Sequence, residues 1–341
     1  MDAPAPSAIP RLSVVVPAYN ARATLGSCLE GLLAQSAPRE SYEIIVVDDG
    51  SSDGTGEVAR SFPVRYLRQD NRGPAAARNL GAREARGEIV LFTDSDCTPD
   101  AGWLERMVAP LDDPRVVAVK GSYKTRQGSL AARFAQAEFE DRYDLLGMST
   151  SIDMIDTYSA AFRREVFVAM GGFDESFPVA NNEDTDLSYR LSRAGHRLVF
   201  ARDAFVYHRH PDTFRKYLRT KFWRGYWRMV VYRRYPDKAL KDTYTPVSLK
   251  LQTLAMAASF PALVLAPVVP LFGRIALTAW AAVFALSAPF ARKAYRLDRA
   301  IGLIAPLAVF ARSAVFAGGS LLGLVRCVFG SRVREMPVSK P

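Results

Sequence analysis

Cysteine is scarce: Cys28, Cys97 and Cys327 are scattered through 341 residues, odd in number and without metal-ligand spacing. That excludes a disulfide framework and points to a reducing compartment. Histidine is scarcer relative to the charged residues, with three in the chain against 45 Lys and Arg. No repeat with a period of about 20–50 residues is present, which excludes solenoids and propellers. Met1–Pro10 is rich in Ala and Pro but has no basic residue and no apolar run, so it reads as a loose arm and not as a signal peptide. The first apolar strand is not followed by G-x-G-x-x-G, which argues against a nicotinamide enzyme. Charge is missing altogether from Leu251–Phe272, and a run of that length spans about 30 Å of hydrocarbon.

The formal charge of +10 and the pI near 9.6 suit either nucleic acid or an anionic membrane surface. Lys and Arg crowd residues 202–241, directly before the apolar region, which favours lipid headgroups and gives no nucleic-acid partner. Ile275–Ala291 is a second uncharged run, joined to the first by Gly273–Arg274, so the two read as a helical hairpin. Ile301–Val325 is apolar too, but Arg312 lies mid-segment. A bare charge there costs several kcal/mol, so an interfacial or re-entrant helix competes with a third span. Arg292, Lys293, Arg296 and Arg299 follow the hairpin while its turn carries only Arg274. The positive-inside rule then puts both ends of the hairpin, and the large N-terminal domain, in the cytosol.

From Arg11 to about Gly121, β-rich runs alternate with helix-patterned stretches. The runs are Leu12–Val16, Glu43–Val47, Val64–Leu67, Glu88–Phe92 and Val116–Val119. Leu25, Cys28, Leu29, Leu32 and Leu33 share one helical face, and Pro74 opens a strong helix former over 75–85. This is the pattern of a mostly parallel sheet covered by helices, whose ligands bind at the carboxyl ends of the strands. Residues 122–207 read as a more irregular second half of the same domain, with a helix near Ser129–Leu146.

The polar clusters fall at those strand ends. Pro17, Tyr19 and Asn20 close the first strand. Asp48 and Asp49, in a Gly/Ser-rich turn, close the second and can accept hydrogen bonds from a base or ribose. Arg78, on the 75–85 helix, offers a guanidinium suited to a diphosphate. Asp94 and Asp96 follow the buried Leu91-Phe92, where bare carboxylates are expensive. A hard cation, Mn²⁺ or Mg²⁺, resolves that cost. Cys97 beside them suits packing better than ligation. Glu183 and Asp184 lead into a helix with Leu187 and Leu191 at i, i+4, and offer a general base. His208 follows an apolar strand, as a further metal ligand or as a structural residue.

Together these clusters resemble the family 2 glycosyltransferases of the GT-A fold, from about Leu12 to Tyr226. The resemblance implies an α/β domain with a Rossmann-like mixed sheet, followed here by a C-terminal transmembrane hairpin. It implies that Pro17 and Tyr19 line the nucleoside pocket, that Asp49 meets the base with Asp48 nearby, and that Arg78 meets the diphosphate. Asp94 and Asp96 match the family's D-x-D metal pair, and Asp184 its catalytic base with Glu183 as acceptor-binding neighbour. Gly171–Glu175 match a turn bordering the acceptor site, and Arg190 an arginine following the Glu183-Asp184 pair. Ser159 stands where many relatives carry Asn. The Q-x-x-R-W motif of processive synthases is missing, with Lys221–Trp227 in its place, so a single sugar would be added and released.

The expected organisation is an arm (1–10), a nucleotide-sugar half (11–121), an acceptor half (122–207) and basic juxtamembrane helices (208–248). A transmembrane hairpin (249–291) follows, then a basic loop with a membrane-associated helix and tail (292–341). The expected activity is inverting, metal-dependent transfer from a UDP- or GDP-linked sugar to a lipid-linked or cell-envelope glycan acceptor, at the inner membrane. The alternatives are a polyprenyl-phosphate sugar synthase, a non-catalytic membrane-tethered nucleotide binder and a glycosidase. A carboxylate base would be redundant toward a phosphate acceptor, and a glycosidase needs neither Arg78 nor a metal pair.

Overall fold

The computed structural model describes residues 10–177 and 182–329. The arm (apart from Pro10), Asn181 and the tail from 330 onward lie outside them. The described residues divide into two compact units, one drawn from Met1–Lys124 and Leu146–Arg209, the other from Thr125–Leu145 and His210–Pro341.

The first unit opens with β1 (Leu12–Ala18), α1 (Leu25–Leu33), β2 (Tyr42–Asp48), α2 (Thr55–Arg60), β3 (Arg65–Arg68), α3 (Pro74–Glu84) and β4 (Ile89–Phe92). The short β5 (Cys97–Pro99), α4 (Trp103–Val108) and β6 (Val116–Lys124) follow, and α5 (Leu130–Gly147) leaves for the second unit over most of its length. The chain returns with β7 (Ala160–Arg163), α6 (Arg164–Ala169), α7 (Glu183–Arg193) and β8 (Arg197–His208). The eight strands form one sheet in the order β3-β2-β1-β4-β7-β6-β8-β5.

β1 pairs in parallel with both β2 and β4, and β2 with β3, so the first half is a parallel sheet. β1 and β4 are buried along almost their whole length, as strands covered on both faces must be. The outer strand β3 carries Arg65 and Arg68 and is only half-buried, which blunts the edge. α3 lies directly on β1 because Gly81 has no side chain: a Cβ there would stand 2.3 Å from Val15 Cγ1. β7 runs antiparallel to β4 and β6, which makes the second half mixed. Order reverses on either side of β1, a switch point at which the loops after β1, β2 and β4 gather at one edge.

The second unit is helical: most of α5, then α8 (Phe214–Arg234), α9 (Pro236–Leu240), α10 (Val247–Leu265), α11 (Pro270–Leu297) and α12 (Arg299–Phe329). The last three are long and apolar enough to cross a membrane. Two boundaries differ from the sequence reading. The stretch expected as a basic loop from 292 is helical through Leu297, because Ala, Arg and Lys continue the helix that the apolar run begins. The helix near Ser129–Leu146, expected in the acceptor half, packs instead in the helical unit. There Phe134 and Ala135 share a core with Tyr217, Ile301, Ala305 and Val309.

Arg312 is buried in that unit without being bare. Its Nη1 donates to Glu138 Oε1 at 2.6 Å, and its Nη2 donates to Gln252 Oε1. The same glutamate accepts from Lys221 Nζ at 2.6 Å. Close packing joins α8 to α12: a Cβ on Gly319 would lie 2.0 Å from the carbonyl oxygen of Phe222. The Lys221–Trp227 stretch therefore belongs to this helix contact.

Candidate active site

The loops after β1 and β2 are stitched together. Asn20, at φ 48°, is one of two described non-glycine residues with positive φ, a conformation Asn tolerates through its short polar side chain. Its amide donates to Ser51 Oγ at 2.9 Å, and its own Oδ1 accepts from the Ser52 amide at 3.1 Å. Pro17 ends its strand half-buried, and Tyr19 projects beyond it, 41% exposed.

Asp48 and Asp49 are both buried and both used by the protein itself. Asp48 accepts from the Ser51 amide at 2.8 Å and from Tyr66 Oη at 2.7 Å. Burial works to raise its pKa, but these bonds and the nearby Arg68 hold it below the usual carboxylate value. Asp49 accepts from Gln69 Nε2 (2.8 Å) and from the amides of Arg72 (2.8 Å) and Gly73 (2.9 Å). It thereby fixes the entry to α3, where Pro74 takes the first helical position.

Arg78 is the hub. It is 2% exposed, and its two Nη atoms donate to Asp94 Oδ1 at 2.7 Å and Glu183 Oε1 at 2.8 Å. It therefore ties the loop after β4 to the start of α7, from residues about a hundred positions apart. Glu183 is equally buried, and its Oε2 has no hydrogen-bond partner among the described residues. Burial and the neighbouring charge of Asp184 push the Glu183 carboxyl up to about 7, against the pull of Arg78.

Asn182, at φ 69°, is the other positive-φ residue and the N-cap of α7. This turn sends Glu183 inward to Arg78 and leaves Asp184 half-exposed. The Thr185 amide donates to Asp184 Oδ1 at 2.7 Å, which restrains the carboxylate. Arg190, one turn further, bonds to Asp186 at 2.9 Å and to the Gly172 carbonyl at 2.6 Å, and so docks the Gly171–Glu175 turn onto α7.

Asp96 and His208 meet across β5 and β8, with Nε2 and Oδ2 3.5 Å apart. With Cys97 they form a group whose candidate ligand atoms all lie within 4.8 Å of one another. The donor set suits a hard cation only in part. Burial and the charges of Asp96 and Asp94 push the Cys97 thiol far up, so it stays protonated, whereas the Asp96 carboxylate is 42% exposed and open to an ion. His208 stacks on Tyr123 with ring centroids 4.4 Å apart, which holds the imidazole in place. Asp94 is 29% exposed and reaches the same loop from the Arg78 side.

One supporting residue, Asn79, was given no role in the sequence, while Glu175 lies in the turn already marked there. Asn79 bonds to both the amide (2.9 Å) and the carbonyl (2.8 Å) of Phe173, and Glu175 accepts from Arg72 at 2.9 Å. Asn79 stands next to Arg78 on a helix of small residues, and that was the available signal. Ser159 faces the core and not a ligand, accepting from Trp103 Nε1 at 2.8 Å.

Comparison with known proteins agrees with this geometry. The sequence pattern of glycosyl transferase family 2 matches residues 13–171. Glycosyltransferase AglE of Haloferax volcanii is 32% identical over 214 residues, covering 59% of this chain and 68% of that protein. A validoxylamine A glucosyltransferase of Streptomyces hygroscopicus subsp. jinggangensis is 30% identical over 235 residues, covering 59% of this chain. The chain spans only 56% of that second relative. In fold, the chain is similar to the mannosyltransferase PcManGT of Pyrobaculum calidifontis, solved with GDP-Man and Mn²⁺. The TM-score is 0.59 at 23% identity, covering 97% of this chain and 90% of that one. The strand order, the family pattern and these relatives agree: the chain belongs to glycosyl transferase family 2 and is a glycosyltransferase with a GT-A fold.

Proposed function

We propose that the protein is an inverting, metal-dependent, non-processive transferase that takes a sugar from a UDP- or GDP-linked donor to a lipid-linked or cell-envelope acceptor. What carries the reading is the Arg78 bridge, which holds the metal-side loop through Asp94 and the base-side helix through Glu183. Pro17 and Tyr19 line the nucleoside pocket, while Asp48 and Asp49 shape its wall and present it to the base. With both Nη groups committed to carboxylates, Arg78 acts on the diphosphate side as a positioning residue.

Asp96 and His208, with Asp94 beside them, would hold a Mn²⁺ or Mg²⁺ ion, which supplies positive charge for the departing nucleoside diphosphate. Asp184 takes the proton of the acceptor hydroxyl as its oxygen bonds to the anomeric carbon. The bond from that carbon to the diphosphate breaks on the opposite face, and the configuration inverts. Glu183 stands on the buried side of Asp184, held there by Arg78. The half-exposed position of Asp184 supports it, over Glu183, as the group that reaches an acceptor.

The three apolar helices and the basic stretches around them support a multi-pass inner-membrane protein with its sheet unit in the cytosol. Full-length protein in detergent, given a panel of nucleotide sugars with Mn²⁺, Mg²⁺ or chelator, tests the activity. A cation-dependent thermal shift with one donor, and release of its nucleoside diphosphate on adding membrane lipid extract, are expected. Stabilisation without turnover under every condition would reduce the protein to a binder. Labelling of single cysteines placed at Arg274 and Arg202 from the same side of the membrane would overturn the topology.

A further inference from the structure

The helical unit holds an open cavity of about 380 Å³ lined mainly by α8, α10 and α12, with Arg142 of α5. Its lining is unusually cationic for a space between apolar helices. Arg142, Lys221 and Arg312 gather around a single carboxylate, Glu138. Glu138 bonds to Lys221 and Arg312, at 2.6 Å each. Three basic side chains against one carboxylate leave a surplus of positive charge, all in side chains less than a tenth exposed. Arg142 Nη1 and Arg312 Nε are buried with no hydrogen-bond partner among the described residues. The aromatic rings of Phe139 and Tyr244 lie 5.4 and 5.3 Å from the Arg142 guanidinium, and the charges of Glu138 and Asp141 lie nearby. Buried cations of this kind are stable only with an anion. Arg224, Arg228 and Lys250 add to the lining.

The rest of the wall is apolar. Along α12 the lining passes from Arg312 through Phe316 and Leu321 to Leu324, a rise of about 18 Å at 1.5 Å per residue. On α8 it passes from Lys221 to Met229, and on α10 it includes Leu249 and Leu254. The helices that provide this wall, α10 and α12, are of bilayer length. A free phosphate would use the cations and leave the apolar wall wet; a neutral lipid would cover the wall and leave the guanidinium unpaired.

We propose that this cavity seats a lipid with a net-anionic phosphate headgroup, its headgroup against Arg142, Lys221 and Arg312 and its chain against Leu254, Phe316, Leu321 and Leu324. The assignment concerns binding by the helical unit and stands apart from the transfer chemistry of the sheet unit. Guanidinium suits the headgroup because it offers forked, charge-assisted hydrogen bonds to phosphate oxygens.

The test uses full-length protein in neutral detergent, titrated separately with dioleoyl phosphatidic acid, dioleoyl phosphatidylcholine and inorganic phosphate. Thermal stability and native mass spectrometry are the readouts, with nucleotide-sugar stabilisation followed in the same samples to keep the two assignments separate. Phosphatidic acid is expected to bind saturably, and phosphatidylcholine and inorganic phosphate not at the same concentration. Arg142→Gln should weaken phosphatidic acid about tenfold, the loss of one charge-assisted contact. Ala257→Trp, which fills the apolar side and keeps every cation, should weaken it as well, and decides the matter if Arg142→Gln does not fold. Equal binding of phosphatidylcholine, inorganic phosphate as tight as the lipid, or unchanged lipid affinity in the folded variants would each overturn the assignment.

Discussion

In the sheet unit one cation, Arg78, is shared by two carboxylates, Asp94 and Glu183; in the helical unit one carboxylate, Glu138, is shared by two cations, Lys221 and Arg312. Arg78 and Glu183 are buried, as are Glu138, Lys221 and Arg312, yet the two acids titrate in opposite senses. Burial and Asp184 push Glu183 up to about 7. Burial would push Glu138 up too, but the charges of Lys221, Arg312 and Arg142 outweigh it and hold it well below the usual carboxylate range. Lys221 is in turn drawn down to about 7 by its burial, with Glu138 opposing. The first cluster holds more carboxylates than cations, the second more cations than carboxylates.

The largest expected effect breaks the catalytic side of this comparison. Asp184→Asn keeps the shape and most hydrogen bonding but cannot accept a proton at neutral pH, so transfer should slow by about 10²–10⁴-fold. Donor binding should be unchanged. Single-turnover kinetics at saturating donor measures it. Near-normal turnover would mean an acceptor that is already anionic, and would bring a polyprenyl-phosphate acceptor forward.

Next in size is Glu138→Gln, which removes the one carboxylate between Lys221 and Arg312. Leaving buried charges uncompensated costs about 3–5 kcal/mol, read as a lowered unfolding midpoint of the full-length protein in detergent. Asp94→Asn is the sharpening control. Arg78 keeps Glu183 as partner, so its midpoint should fall much less. Equal falls would erase the distinction between the clusters.

Asp96→Ala removes the exposed carboxylate that pairs with His208. Cation-dependent donor affinity should fall by about tenfold or more, because an oxygen ligand is lost. Titration of donor with and without Mn²⁺ checks it, and an unchanged metal dependence would move the ion away from Asp96.

The last effect is a slope. The folded-state pKa of Glu183 is raised from 4.5 to about 7, so between these values the folded protein holds more protons than the unfolded chain. Stability from this group is therefore greatest at low pH and declines as pH rises through that window. Ligand-free Glu183→Gln should lose less stability than the parent between about pH 4.5 and 7. Parallel pH profiles would show that Glu183 titrates normally.

The chain's own pattern was enough for the parallel half of the sheet. Runs such as Val14–Val16 and Val90–Phe92 are apolar on both faces, and only a strand covered on both sides can bury them. Asp94, Asp96 and Asp184 stood out as candidates for a related reason: acids beside buried apolar residues need a partner, and their strand-end or helix-start positions limit what it is. The bilayer-length helices were legible from length and missing charge. Tertiary structure alone decided the partners. Glu183 lies about a hundred residues from Arg78, and Glu138 further still from Arg312. Nothing local in either helix marks one acid as inward and its neighbour as half-exposed. The turn at Asn182 does that for Glu183 and Asp184, through a backbone conformation that residue type permits but does not demand. Arg312 read as an expensive charge in an apolar helix because its compensation is a side chain on α5, brought there by packing that no sequence window contains.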